Sequence, residues 1–327
     1  MMNHEGWDAI DALLRQRYPD VERLEWHAPV PYRPVGPMPV GQFVTNSMAI
    51  YRRAEPVPHW HMIGYALTAP FEERGYEFTL RVPRAAAETE APDWALAALE
   101  GLAAYVSRSG NDFAAGHYIE YPHPIDPDRP GSRVRAGAFV PDPELGEVET
   151  ERGRVTFLQF VGLTSDEIQA AQSWHVRGLI SALEPHLPVL VTDMDRASLA
   201  DHPEVAGTLR EGSRREGSGT GYLFFHHLEA DATGDGLRLE FGAQHVPQLA
   251  RVLPARIPHG RRLTLTGDTP RDVVFVPGPA FSYRESGGAL EIALPGTASE
   301  TLAAALDPAP GDYTVPDLPG LRVTVTP

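Results

Sequence analysis

The segment RVTFLQFVGL, residues 154–163, is almost continuously apolar. Read as a strand, it has no polar face to show to water. Such a strand must be central in its sheet, with both faces covered by packed layers. Thr164-Ser-Asp-Glu167 follows it at once. That spacing is a capping box, in which Glu167 reaches back to the amide at the helix start. It predicts a helix that runs to about Leu183 and stops before Pro185. PVLVTDM, 188–194, reads as the next strand.

Other elements fit around this βα unit. Trp7, Ile10 and Leu14 share one face of a helix over about Trp7–Tyr18, ended by Pro19. The stretch HAPVPYRPVGPMPVG, 27–41, is held extended by its prolines. A strand is expected over His61–Thr68. YEFTLRVP, 76–83, alternates Tyr76, Phe78, Leu80 and Val82 against Glu77, Thr79 and Arg81, which predicts a strand with one buried face. A helix beginning at Pro92-Asp93 turns Leu96, Leu99, Ala103 and Val106 inward. Residues 120–153 are loop-rich, with one strand around Val134–Val140. The stretch 207–221 mixes Gly, Ser, Arg and Glu without periodicity and reads as a linker. Beyond it come short strand patterns at YLFFHHL, LRLEFG, RLTLTG, DVVFVP, ALEIAL and LRVTVT, with helices near Pro247–Leu253 and Ser299–Leu306. The expected organisation is a larger domain over 1–208, a linker over 209–220 and a smaller α+β domain over 221–327.

Composition excludes several chemistries. There is no cysteine, hence no disulfide and no thiolate nucleophile. The 28 basic side chains are all Arg, hence no Schiff-base lysine and no phosphate-loop lysine. Arg codons are GC-rich, which points to a GC-rich, bacterial genome. A formal net charge of −16 disfavours nonspecific nucleic-acid binding and favours a basic partner. The N-terminal stretch lacks the basic and apolar regions of a signal peptide, and no segment has the apolar length to span a membrane. The expected location is the cytoplasm.

Two clusters could carry metal chemistry. His59 and His61 are two residues apart, so on a strand they point to one face. With His117, His123, His226 or His227 they could chelate a metal. The alternative is a pair of buried, hydrogen-bonded histidines. Asp193 and Asp195 close an apolar segment, where a divalent metal could be held for catalysis. Strand-end carboxylates also serve as turn formers. GSGTG, 217–221, does not join a strand to a following helix, so it is not read as a phosphate cradle.

The order of segments resembles the Suppressor of fused family. GWDAIDALLRQRYPD, PHWHMIGYALT, EFTLRVPR, LAAYVSRSGNDFAAG, VTFLQFVGLTSDEIQAAQSW, VTDM and LPARIPHGRRLT are similar to collinear family segments from about Gly6 onward. The resemblance implies an α+β, two-domain architecture in which each domain is a mixed sheet packed with helices. It implies a non-enzymatic adaptor without a cofactor, in which HWH belongs to a structural strand. In animal members a Gli transcription-factor peptide lies extended in a cleft between the two domains, a case of β-augmentation. The matching partner-binding positions are Tyr105, Phe113, Gly116 and His117. Animal members carry an acid where this chain has His117, and that acid pairs with a histidine of the Gli peptide. His117 cannot supply that pair, and the long acidic insertion of the animal second domain is absent. The resemblance therefore implies the cleft without the Gli ligand. Bacterial relatives are inferred to be immunity proteins that neutralise polymorphic toxins, so a basic toxin is the implied partner. The alternative is a divalent-metal enzyme using Asp193, Asp195 and nearby histidines.

Overall fold

The computed structural model describes residues 5–29, 47–68, 74–233, 236–268 and 270–327. The Pro-rich stretch lies outside the described residues from position 30 on. The chain divides into two compact units, Met1–Glu167 with Leu183–Leu199, and Ile168–Ala182 with Ala200–Pro327.

The first unit contains α1 (Glu5–Arg17), β1 (Arg23–His27), β2 (Ser47–Arg53), β3 (His59–Gly64), β4 (Tyr76–Pro83), α2 (Asp93–Ser109), β5 (Tyr118–Glu120), β6 (Val134–Pro141), β7 (Glu147–Thr150) and β8 (Gly153–Thr164). The strands form one sheet in the order β1-β2-β3-β4-β8-β6-β5, with β7 also paired to β8. β8, the apolar segment 154–163, is interior as its composition requires. It runs parallel to β4 and antiparallel to β6.

Alternation along each strand sorts residues between two cores. Met48, Ile50, Trp60, Met62, Phe78, Leu80, Leu158 and Phe160 meet Leu96, Leu99, Leu102 and Val106 of α2. Ala49, Tyr51, Ile63, Val155 and Phe157 meet Ile10, Leu14 and Tyr18 of the α1 segment. β4 corrects the expectation of a single buried face: Glu77, Thr79 and Arg81 are buried as well. They lie on the α1 face, where charge is compensated inside the protein rather than by water.

The second unit is built from most of α3 (Ser165–Ser173) and α4 (Val176–Leu183), then α5 (Pro203–Glu216), β9 (Tyr222–Phe225), β10 (Leu228–Thr233), β11 (Gly236–Gly242), α6 (Val246–Val252), β12 (Leu263–Gly267), β13 (Val273–Pro277), β14 (Ser282–Ser286), β15 (Ala289–Leu294), α7 (Gly296–Ala305), β16 (Gly311–Thr314) and β17 (Leu321–Thr326). Its strands form a four-stranded sheet, β10-β11-β17-β16, and a five-stranded sheet, β14-β15-β13-β12-β9. Phe225, Phe241, Val252, Leu265, Phe275, Ile292 and Leu302 are part of its continuous core.

Three expectations are corrected. Residues 203–216, including most of the expected linker, form α5. Pro203 opens this helix at a position that needs no N–H, and Val205, Leu209 and Gly212 are its buried face. The glycine is needed there, because a Cβ at Gly212 would lie 2.4 Å from the Trp174 ring. The single helix expected after Thr164 is broken at Trp174–His175 into α3 and α4. Its capping contact does form: the Thr164 amide donates to Glu167 Oε2 at 2.9 Å. The expected strand at 188–194 is a 3-10 turn over Pro188–Leu190 instead, with Val189 and Leu190 at positive φ. Gln159 Nε2 of β8 donates to both of their carbonyls, at 3.0 and 2.9 Å, which replaces ladder bonds by side-chain bonds.

Candidate partner-binding site

The residues singled out for partner binding converge at one end of α2. Leu99, Leu102, Ala103 and Val106 face the core, which leaves Tyr105 on the outer side of the helix and 43% exposed. Gly110 ends α2 in the left-handed conformation, with φ 74°. The chain then doubles back, and Asn111 Nδ2 donates to the Tyr105 hydroxyl at 3.0 Å.

Phe113 is half-buried. Its ring stacks on Phe139 of β6 at 4.2 Å and lies 5.7 Å from Tyr105. The Tyr76 hydroxyl accepts the Phe113 amide at 3.2 Å and donates to Asp112 at 3.3 Å. Burial pushes the Tyr76 phenol above its ordinary range, so it remains protonated as a donor. Phe113 is thus an anchor, and Tyr105 is the free part of the pair.

Gly116 has φ 96°, a conformation that favours glycine, and its amide donates to the Phe139 carbonyl at 2.8 Å. The His117 carbonyl accepts the Phe139 amide at 2.9 Å, while the His117 side chain is exposed. β5 begins at the next residue. Among the described residues it is the last strand of its sheet, paired with β6. Here exposed Tyr105 and His117 border that edge.

The second unit has an exposed aromatic pair that sequence reasoning missed. Tyr222 and Phe224 are 66% and 53% exposed on β9, whereas Leu223 and Phe225 are buried. Among the described residues β9 is also an edge strand, paired with β12 in parallel register. YLFF is apolar throughout, so its pattern contains no clue to which alternate pair stays exposed.

His59 and His61 do share a face, and both are fully buried. Both nitrogens of His61 are engaged: Nδ1 with the Tyr18 hydroxyl at 2.8 Å and Nε2 with Asp142 at 3.2 Å. Arg81 grips Asp142 through two nitrogens, at 2.7 and 3.0 Å, and reaches Glu144 at 2.8 Å. Thr79 Oγ1 donates to Asp142 at 2.6 Å. Burial lowers His61 to about 4, so it is neutral at pH 7. Burial alone would raise Asp142, but hydrogen bonds from His61 and Arg81 and the Arg81 charge hold it well below the carboxylate range. His59 Nδ1 meets the Val57 carbonyl at 2.7 Å. Asp142 was the signal missed in sequence: it sits in the stretch 120–153 read as loop-rich, yet it completes a buried ion pair.

Asp193 and Asp195 form a turn in which Asp193 Oδ1 accepts the Asp195 amide at 2.9 Å, and Arg129 binds Asp195. Among the described residues, neither belongs to a group of three His, Asp or Glu side chains close enough to share an ion. No helix among them is long and apolar enough to cross a membrane.

The fold defines a class: α+β proteins of mixed sheets packed with helices. Residues 45–197 match the family model of the Suppressor of fused protein. The human and mouse Suppressor of fused homologs are each 31% identical over 212 residues, 58% of this chain and 43% of theirs. The matched region thus spans less than half the length of these relatives. Drosophila Suppressor of Fused superposes with a TM-score of 0.75 at 20% identity, covering 98% of this chain and 96% of that one. A chain of the Sufu-Fu complex matches with a TM-score of 0.52 at 26% identity, covering 63% of this chain and 97% of that one. Residues 45–197 thus resemble the Suppressor of fused family in sequence, and the chain shares the fold of Drosophila Suppressor of Fused.

Proposed function

We propose that this chain is a non-enzymatic, cytoplasmic protein-binding adaptor that takes an extended partner segment by strand addition. Tyr105, Phe113, Gly116 and His117, beside the edge strand β5, are the contact face of the first unit. Tyr222 and Phe224 on β9 offer a second edge. The observation that carries this reading is Tyr105, exposed over an anchored Phe113 near the end of the described sheet. Backbone bonds would supply affinity and the aromatic side chains selectivity. A relative in complex with a protein, Fu, supports the adaptor class.

The partner is a basic polypeptide, favoured by the net charge of −16 through faster encounter. A toxin neutralised by an immunity protein has this chemistry. The test is affinity capture from the native host with wild type, Tyr105→Ala and Tyr222→Ala, each verified as folded. One protein retained by wild type and lost from Tyr105→Ala supports the reading. Equal retention by all three places the interface elsewhere. Co-expression with the captured protein then tests the toxin assignment, since a toxin must arrest growth unless this chain is present.

A further inference from the structure

Buried guanidiniums in this protein have carboxylates of their own. Arg81 holds Asp142 and Glu144, and Arg196 holds Glu167 at 2.5 Å. Arg256, in the second unit, breaks the pattern. It is 8% exposed, yet it binds only backbone. Its Nε donates to the Arg262 carbonyl at 2.7 Å and its Nη1 to the Ser218 carbonyl at 2.8 Å. Nη2 donates to no described residue. Arg261 sends its own Nη1 into the same Ser218 carbonyl at 3.0 Å. Among the described residues, neither Arg256, Arg261 nor the exposed Arg262 pairs with a carboxylate. This occurs in a chain with 44 acids and 28 arginines.

A buried charge requires a counter-charge. Here two positive groups share one neutral carbonyl. Burial, and then the charge of Arg261, push the Arg256 guanidinium below its ordinary range. Ser218 lies just beyond α5, and the negative end of that helix offsets only part of this.

The surrounding backbone is GSGTG, which joins α5 to β9. A Cβ added to Gly221 would lie 3.5 Å from Arg256 Nη2, in van der Waals contact with the guanidinium. Gly219 is exposed. The amides of Ser218, Gly219 and Thr220 are already bonded to the Ala255 carbonyl, the Trp174 carbonyl and Ser218 Oγ. An anion here would therefore be recognised by guanidinium forks rather than by a nest of amides.

We propose that Arg256 and Arg261, approached over Gly219–Gly221, form a binding site for one oxyanion group, either free phosphate or a carboxylate presented by a polypeptide. The assignment does not depend on strand addition at β5 or β9.

The test uses the full chain, labelled with ¹⁵N, and follows the amide signals of Gly219, Thr220 and Gly221 at constant ionic strength. One arm is titrated with inorganic phosphate and the other with the peptide acetyl-Asp-Asp-amide. Saturable shifts with phosphate assign a free oxyanion. Saturation with the peptide alone assigns a polypeptide carboxylate. Arg261→Ala, at an exposed position that should leave folding intact, weakens the saturating ligand about tenfold. Arg256→Met abolishes binding where it folds, and Arg261→Ala keeps the test decisive where it does not. Non-saturating shifts in both arms, or equal affinity in wild type and Arg261→Ala, overturn the proposal.

Discussion

Tyr105 and Phe113 touch each other, yet truncating them should have opposite consequences. Phe113 is half-buried against the core, stacked on Phe139 and edge-on to Phe78 at 5.9 Å. Full burial would make Phe→Ala cost about 3–5 kcal/mol. Half-burial brings this to about 2 kcal/mol, and the lost ring pairs add about 0.5–1.5 kcal/mol. Tyr105 is 43% exposed, with one hydrogen bond from Asn111. Losing that exposed bond costs at most about 1 kcal/mol, and the better helix propensity of Ala returns roughly half of it. Phe113→Ala should therefore destabilise by about 2.5–3.5 kcal/mol, and Tyr105→Ala by less than about 1 kcal/mol. Binding should show the reverse order. As a hot spot, Tyr105 should lose about 2 kcal/mol of affinity, roughly thirtyfold. The assays are chemical unfolding followed by circular dichroism and calorimetric titration of the captured partner. Tyr105→Ala being more destabilising than Phe113→Ala, or binding unchanged in Tyr105→Ala, would refute the division into contact and anchor.

Three further predictions concern the interior. His61 has a folded-state value of about 4 against an ordinary 6.5, so below pH 6.5 the unfolded chain binds the extra proton. Its contribution, about 3 kcal/mol at most, is present above pH 6.5 and is lost as pH falls toward 4. Buried Glu77, raised to about 7 by desolvation, acts in the opposite sense between pH 4.5 and 7. The readout is therefore the stability difference between wild type and His61→Gln, which should shrink on acidification; a difference independent of pH would contradict it. Asp142→Asn should cost about 3–5 kcal/mol in chemical unfolding, because Arg81 loses its bidentate partner while fully buried, and a loss under about 1 kcal/mol would argue against that pairing. Gly212→Ala would ordinarily stabilise a helix by about 1 kcal/mol, but the new methyl falls 2.4 Å from the Trp174 ring, so a net loss of about 1–3 kcal/mol is expected and a raised melting temperature would count against it.

The sequence by itself determined the elements whose pattern is local. The apolar run of β8, the capping box at Thr164–Glu167 and the spacing of Leu96, Leu99, Ala103 and Val106 each dictate one element without outside help. The order of family-like segments singled out Tyr105 and Phe113, whose rings lie 5.7 Å apart. Tertiary structure alone decided what depends on a distant partner. Glu77, Thr79 and Arg81 read as a solvent face until Asp142, about sixty residues away, supplies the buried charge that Arg81 needs. Residues 207–216 lack helical periodicity, and they become helix because Trp174 requires the small surface of Gly212. Val189 and Leu190 have strand propensity, but Gln159 takes their carbonyls and holds a turn. In the apolar strand YLFF, only the assembled sheet separates buried Leu223 and Phe225 from exposed Tyr222 and Phe224. Propensity is a property of neighbours in sequence, whereas burial and counter-charge are properties of neighbours in space.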